Sequence, residues 1–303
     1  MKELKNILLL GAGAVGVLIA EKLCRMPGIN FAAAADRERV KRYRQDGIFF
    51  NGKKLPLSFV SSGDDLLAAD LVIVATKTTA LPEALDVCRD FTDKNTIFLP
   101  FLNGITAKEV ISSRFPGNCV LEGFFIGHAS VRCGNFITHD GCGTFCCGGE
   151  KTALEMVRKL FAQAEINTDF PPDMQHAVWK KFILNVGINQ VQAAFGANYG
   201  EVQRSPELMD FCRELMLEAI NVAQAENVAD TGKMLAPAIE IISSMPPDVK
   251  TSMLQDIQAG RKTEIEAFAG TVCAKAEIYG IPVPRNREVY NIIRKKETEY
   301  RCI

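Results

Sequence analysis

The first half of the chain alternates short, unbroken apolar runs with stretches of helical periodicity. Residues 5–10, 30–35, 70–76 and 96–101 are strand-like and show no polar alternation. Such strands are buried on both faces, as in a parallel sheet covered by helices. Residues 14–25, 40–46 and 81–90 read as helices between them. Leu121, Phe124, Phe125 and Ile126 predict a further strand. Residues 48–60 predict a hairpin turning at Asn51-Gly52. Residues 136–147 predict two strands about Asp140-Gly141, an antiparallel edge pair. After Pro171-Pro172 the strands stop. Residues 173–194, 206–227, 232–244, 252–278 and 286–299 all carry helical periodicity, with Pro246-Pro247, Pro282 and Pro284 at the joins. The pattern predicts an α/β class: a doubly wound parallel sheet over residues 1–168, then an all-helical domain over residues 169–303.

Length and composition agree with two domains. The chain has 303 residues, 48% of them hydrophobic, with a formal net charge of −1. That balance excludes a disordered chain. It also supplies no field to hold DNA or an anionic membrane, so neither nucleic acid nor membrane is an expected partner. Lys2 and Lys5 precede an apolar run over residues 7–20, which outlines an export signal. Glycines at 11, 13 and 16 break that run, and it falls short of the about 20 residues a bilayer requires. The ten cysteines follow no regular framework, which predicts free thiols in a reducing cytoplasm. His128, Cys133, His139, Cys142, Cys146 and Cys147 cluster in sequence but lack Cys-x-x-Cys pairs, so no metal is expected.

Two segments carry chemistry. Gly11-Ala12-Gly13-Ala14-Val15-Gly16 is a G-x-G-x-x-G between an apolar strand and a helix. The first glycine permits the tight turn, the second admits a pyrophosphate to the backbone, and the third lets helix pack on strand. An acid, Asp36, follows Gly16 by about 20 residues at the end of the second strand, as a dinucleotide-binding Rossmann unit requires. Asp36 suits the ribose hydroxyls of NAD(H); the adjacent Arg37 suits the 2′-phosphate of NADP(H), and the choice stays open. The second segment is Trp179 through Asn189. Lys181, Asn185 and Asn189 fall at i, i+4 and i+8 on one helical face, in apolar surroundings. Asparagine is a poor helix-interior residue, so the stripe points to a bound polar ligand or to a hydrogen-bond network between helices.

With these segments in this order, the chain resembles the ketopantoate reductase (2-dehydropantoate 2-reductase) family over nearly its full length. The resemblance is carried by the glycine turn, Lys77 after the apolar strand, Phe101-Leu102-Asn103-Gly104, residues 179–189, and Ser252-Met253-Leu254-Gln255-Asp256 followed by Arg261-Lys262-Thr263-Glu264-Ile265-Glu266. It implies a Rossmann domain plus a helical domain, an active site in the cleft between them, and reduction of 2-dehydropantoate to (R)-pantoate on the route to pantothenate and coenzyme A. It implies that Lys181 is the general acid and that Asn185, Asn189 and Ser252 hold the substrate. Asn103 would lie between nicotinamide ribose and substrate. Lys77 and the backbone around Ala129 would contact the cofactor, and Glu264 would touch cofactor or substrate. The usual cofactor of the family is NADP(H), and the assembly leaves room for a homodimer.

Each of these residues also has an ordinary structural reading. Ser252 could cap its helix with Gln255, Glu264 could pair with Arg261 or Lys262, Lys77 could be a loop charge, and Asn103-Gly104 could be only a turn. Two positions depart from the family pattern. Asp36 stands where an arginine is common, and Tyr199 stands where an asparagine is common, with Asn198 one residue earlier as the substitute substrate contact. A reductase of another small branched 2-oxo acid and a non-catalytic NAD(P)-binding sensor are the competing readings.

Overall fold

Unbroken apolar strands need cover on both faces, and the computed structural model, which describes residues 3–127 and 130–299, gives it to them. In chain order the elements of the first unit are β1 (Asn6–Leu10), α1 (Gly16–Leu23), β2 (Asn30–Ala34), α2 (Arg37–Asp46), β3 (Phe49–Phe50), β4 (Lys53–Lys54), β5 (Ser58–Val60), β6 (Leu71–Val74), α3 (Leu81–Cys88), β7 (Ile97–Pro100), α4 (Ala107–Arg114), β8 (Cys119–Val120), β9 (Glu122–Gly127), β10 (Val131–Cys133), β11 (Phe136–Thr138), β12 (Gly143–Gly148), α5 (Lys151–Gln163) and β13 (Thr168–Asp169). Six strands form a parallel sheet in the order β5-β2-β1-β6-β7-β8. The order reverses between β1 and β6. Leu9, Ile73 and Leu99 point into one apolar core and Leu8, Leu10, Val72, Val74 and Phe98 into the other. Period-two alternation thus separates two cores although both faces are apolar.

The edge strands differ from expectation. The strand at residues 121–126 leaves the parallel sheet and pairs antiparallel with β12; the sixth parallel strand is the short β8 just before it. No hairpin forms about Asp140-Gly141. β11 pairs with β10 across the tight turn at Gly134 and with β3, while β12 pairs with β9 and β13. Side chains direct this choice. Asn51 accepts from His139 N at 3.0 Å and donates to His139 O at 3.0 Å, which ties the end of β11 to the β3–β4 turn. Phe145 of β12 packs on Phe125 of β9, ring centroids 4.8 Å apart. The Asn51-Gly52 turn forms as expected, with both residues at positive φ, but it joins only β3 and β4.

The chain divides at Met174/Gln175, after the proline pair rather than before it, because Thr168–Asp169 still pairs with β12. The second unit is helical: α6 (Met174–Phe195), α7 (Tyr199–Arg204), α8 (Pro206–Ala225), α9 (Leu235–Ser244), α10 (Ser252–Gln258), α11 (Ala269–Tyr279) and α12 (Pro284–Glu299). At Gly187 a Cβ would lie 2.8 Å from Met216 Cγ, so glycine is what lets α8 approach α6. Two buried glutamines of α6 hold the starts of other helices. Gln190 Oε1 accepts from Ala269 N at 2.9 Å, and Gln192 Oε1 accepts from Thr251 N at 2.8 Å.

The single helix expected over residues 252–278 is broken. Gly260 has φ +62°, and Arg261 turns back onto buried Asp256 at 2.9 Å. Thr263 then donates its N–H (2.7 Å) and its hydroxyl (2.6 Å) to the buried Glu297 carboxylate of α12. Losing that acceptor leaves two buried donors unsatisfied. Glu297→Ala is therefore expected to cost about 2 kcal/mol of stability, and Glu297→Gln distinctly less, since it keeps an oxygen in place. Thermal unfolding of the two variants checks the order; equal midpoints would remove this anchor from the account.

Candidate active site

Because the strands of the main sheet are parallel, their carboxyl ends lie on one edge. The chain leaves that edge through the glycine turn after β1, Asp36 after β2, Thr76 and Lys77 after β6, and Asn103 after β7. The reversal of strand order between β1 and β6 opens a crevice at this edge, where open α/β sheets take ligands. The first-unit residues singled out from the sequence thus share one rim. Ala129 and His128 lie outside the described residues.

The turn itself is built for close approach. Gly11 has φ +95°, and a Cβ there would lie 2.7 Å from the backbone of Ala75 and Thr76. A Cβ on Gly16 would collide with Gly11 O. At Gly13 the space is open, the nearest atom being Arg132 Nη1 at 3.7 Å. No side chain caps the start of α1, and no acid lies in its first turn. Uncapped N–H groups and the helix dipole leave this end positive. Thr76 Oγ1, buried beside the turn, has no hydrogen-bond partner among the described residues. An open middle glycine beneath a positive helix end fits a dinucleotide diphosphate.

Asp36 has local work as well. Its Oδ1 accepts from Arg39 N at 2.8 Å and caps α2, and its Oδ2 pairs with Arg39 Nε at 3.2 Å. Arg37 is exposed, and its guanidinium reaches Ser62 O at 3.4 Å. Lys77 is exposed at the start of a short 3-10 turn, and Asn103 is half-buried before Gly104 at φ +87°. Arg132, which no sequence pattern singles out, also lies against the turn, its Nη1 reaching Ala12 O at 3.5 Å. Its signal is weak: one arginine in a short strand of a hairpin not expected there.

In the second unit, Lys181 and Asn185 are half-buried and Asn189 is 8% exposed, all on one face of α6. The side-chain amides of Asn185 and Asn189 have no hydrogen-bond partner among the described residues. The expected alternative, a network between helices, does exist, but Gln190 and Gln192 carry it. Ser252 does not cap α10. Thr251 does, accepting from Leu254 N, and Ser252 stands exposed as the first helical residue. Glu264 is not on a solvated face with Arg261; it is 5% exposed, at the break before α11. Asn198 caps α7 in a reciprocal box with Glu201, which occupies its Oδ1. Tyr199 is buried, and burial pushes its phenol up to about 12.

Burial also pushes the Cys88 thiol up to about 12 and raises the Cys147 thiol, so both act as small hydrophobes. Among the described residues no three His, Cys, Asp or Glu side chains converge as a metal site, and no helix is long and apolar enough to cross a membrane.

Two family models match, ketopantoate reductase PanE/ApbA over residues 7–148 and ketopantoate reductase PanE/ApbA C terminal over residues 173–297. The chain is 27% identical to 2-dehydropantoate 2-reductase of Vibrio cholerae serotype O1, covering 97% of this chain and 99% of the relative. It is 28% identical to 2-dehydropantoate 2-reductase of Salmonella typhi, covering 97% and 96%. A PanE/ApbA family ketopantoate reductase structure from Ralstonia eutropha superposes with TM-score 0.85 at 25% identity, over 98% of this chain and 99% of that one. D-mandelate dehydrogenase in ternary complex with NADH and anilino(oxo)acetate shares the fold, with TM-score 0.88 at 22% identity over 98% and 99%.

The three glycines of the turn should separate on substitution. Gly16→Ala and Gly11→Ala force backbone apart and are expected to lower stability by about 1–3 kcal/mol, whereas Gly13→Ala should leave it near wild type. Thermal unfolding reads this directly; a loss at Gly13 as large as at Gly16 would contradict the geometry.

Proposed function

The chain belongs to the ketopantoate reductase family and is an oxidoreductase that uses a nicotinamide dinucleotide, and we propose that its reaction is the reduction of 2-dehydropantoate to (R)-pantoate. In this reading it serves pantothenate and coenzyme A synthesis in the cytoplasm. The observation that carries the assignment is the stripe on α6: Lys181 in line with Asn185 and Asn189, two amides whose side chains have no hydrogen-bond partner among the described residues.

The reduced dinucleotide supplies a hydride when bound. The residues of the chain do the rest. The Lys181 ammonium donates a hydrogen bond to the 2-oxo oxygen, stabilises the negative charge that develops there, and delivers the proton to it. Asn185 and Asn189 present amide donors and acceptors to the carboxylate and hydroxyl of the substrate, and the exposed Ser252 hydroxyl adds a third group. Asn198, whose Oδ1 already accepts from Glu201 N, offers chiefly its Nδ2 hydrogens for such a contact. Glu264 and Asn103 orient substrate and nicotinamide ribose. Lys77, Arg37 and the glycine turn hold the cofactor, and Ala129 is assigned there by the same family likeness.

A second reading has a specific observation in its favour. Tyr199 is buried and Asn198 is engaged as a cap, so the asparagine usual at this point of the family is altered. A different 2-oxo acid would then be the substrate, with the same acid and the same hydride donor. Loss of reduced-nicotinamide absorbance with ketopantoate, a panel of aliphatic and aromatic 2-oxo acids, and both NADH and NADPH decides between them. A clear kcat/KM advantage for ketopantoate supports the first reading; equal or greater values for another acid overturn it.

Lys181→Ala should lower kcat by about 10²-fold or more while dinucleotide affinity is kept, as for loss of a positioned acid. Unchanged kcat would remove Lys181 from this role. Asp36→Ala removes a carboxylate from the ribose site and frees Arg39, so the ratio of NADPH to NADH affinity should rise, with a small loss of stability from the missing cap. A ratio that does not move would separate Asp36 from cofactor choice.

A further inference from the structure

The β10–β11 hairpin brings an arginine over the glycine turn. Arg132 Nε donates to Gly134 O at 2.9 Å, which fixes the plane of the guanidinium. Nη1 reaches Ala12 O at 3.5 Å and Nη2 reaches Tyr43 Oη at 3.4 Å, both at the long limit of hydrogen bonding. Ser130 Oγ donates to Ala14 O at 3.2 Å and ties the same segment to the turn. The hairpin therefore meets the turn at two points, and one of them is a side chain with spare donors.

The charge around this arginine is unbalanced. Arg39, Arg44, Arg114, Arg261 and Arg285 each have a carboxylate partner. Arg132 has none among the described residues. It sits instead beside another positive feature, the uncapped start of α1. The field is felt by its neighbour. Burial alone would raise the Tyr43 phenol, yet Arg132 and Arg42 outweigh it and hold that phenol below its ordinary value. A planar fork with five donors, one well satisfied and two weakly held, over a positive helix end, is a site that an oxyanion pair completes.

We propose that Arg132 is a clamp for the diphosphate of the bound dinucleotide, its two Nη groups turning from Ala12 O and Tyr43 Oη onto phosphate oxygens. The position selects this group. Nη1 stands over Gly13, the one glycine of the turn left open, whereas the oxygens of Asp36, at the ribose end, are taken up by Arg39. The proposal rests on dinucleotide binding at this turn; it is independent of which 2-oxo acid is reduced.

Dissociation constants for NADH and NADPH, measured by titration calorimetry on the full chain without substrate, test it. Arg132→Ala should weaken both about tenfold to a hundredfold, the range expected for a bidentate charge-assisted contact. Arg132→Gln keeps a donor for Gly134 O but not the charge, and should weaken both comparably with an unchanged unfolding midpoint. The affinity of either variant should also depend less on ionic strength than that of the wild type. Loss confined to NADPH would make Arg132 a reader of the 2′-phosphate and overturn the proposal. Unchanged affinities, or a Gln variant that binds like wild type, would overturn it too. A wild-type chain that bound neither dinucleotide would instead sink the cofactor reading itself.

Discussion

The backbone of Gly11 runs so close to Ala75 and Thr76 that no side chain fits between them, and Gly16 lies as tightly on Gly11. This contact joins the ends of β1 and β6, the two strands between which the sheet reverses its order. Everything at the carboxyl rim follows from it. The turn has to rise steeply from the sheet, so α1 begins with its N–H groups facing the rim and no side chain to cap them. A positive helix end at this rim is then a product of packing, and the dinucleotide reading builds on it.

In the helical unit the equivalent constraint is polar. Beyond Gln175 in its first turn, α6 carries two asparagines and two glutamines, and they divide by role. Gln190 and Gln192 hold the backbone starts of α11 and α10, and so fix where Ser252 and Glu264 stand. Asn185 and Asn189 hold nothing among the described residues. Burying amides that bond to neighbours is an ordinary way to lock helices together. Keeping two amides unpaired beside a lysine works against stability, and such a cost persists where a ligand completes the hydrogen bonds.

Much of this was legible in the chain. Residues 5–10 and 70–76 announce themselves as doubly buried strands, and the glycine turn with Asp36 identifies the rim. The Lys181 stripe follows from helical period alone. What was not legible depends on pairing and on short breaks. The partners of β11 and β12 are chosen by Asn51 and His139 and by the tilted Phe125–Phe145 ring pair, contacts remote in sequence. The break after α10 comes from Gly260 together with Glu297, and buried Ile257 and Ile265, eight residues apart, keep the helical phase of Met253 and Leu254 across it, so the period does not reveal it. The cap moved by one residue, from Ser252 to Thr251, because Gln192 takes the Thr251 N–H from the far side. Arg132 escaped notice because a single cation in a three-residue strand has no pattern.

In the proposed cofactor site, the surroundings of Asp36 bear on the choice between NADH and NADPH as much as its identity does. A bare carboxylate at the end of β2 accepts two ribose hydroxyls and repels a 2′-phosphate. Here both oxygens already have partners, the Arg39 N–H and the Arg39 guanidinium. Each oxygen keeps a further lone pair, so Asp36 can accept a ribose diol while it caps α2, with part of its charge already offset by Arg39. To repel a phosphate, it has to overcome the positive charge paired with it and that of Arg37 alongside. Arg39 therefore weakens both of the effects by which an acid at this position favours NADH. The acid and its neighbouring bases act as one group, and reading the acid alone from the sequence overstates its influence.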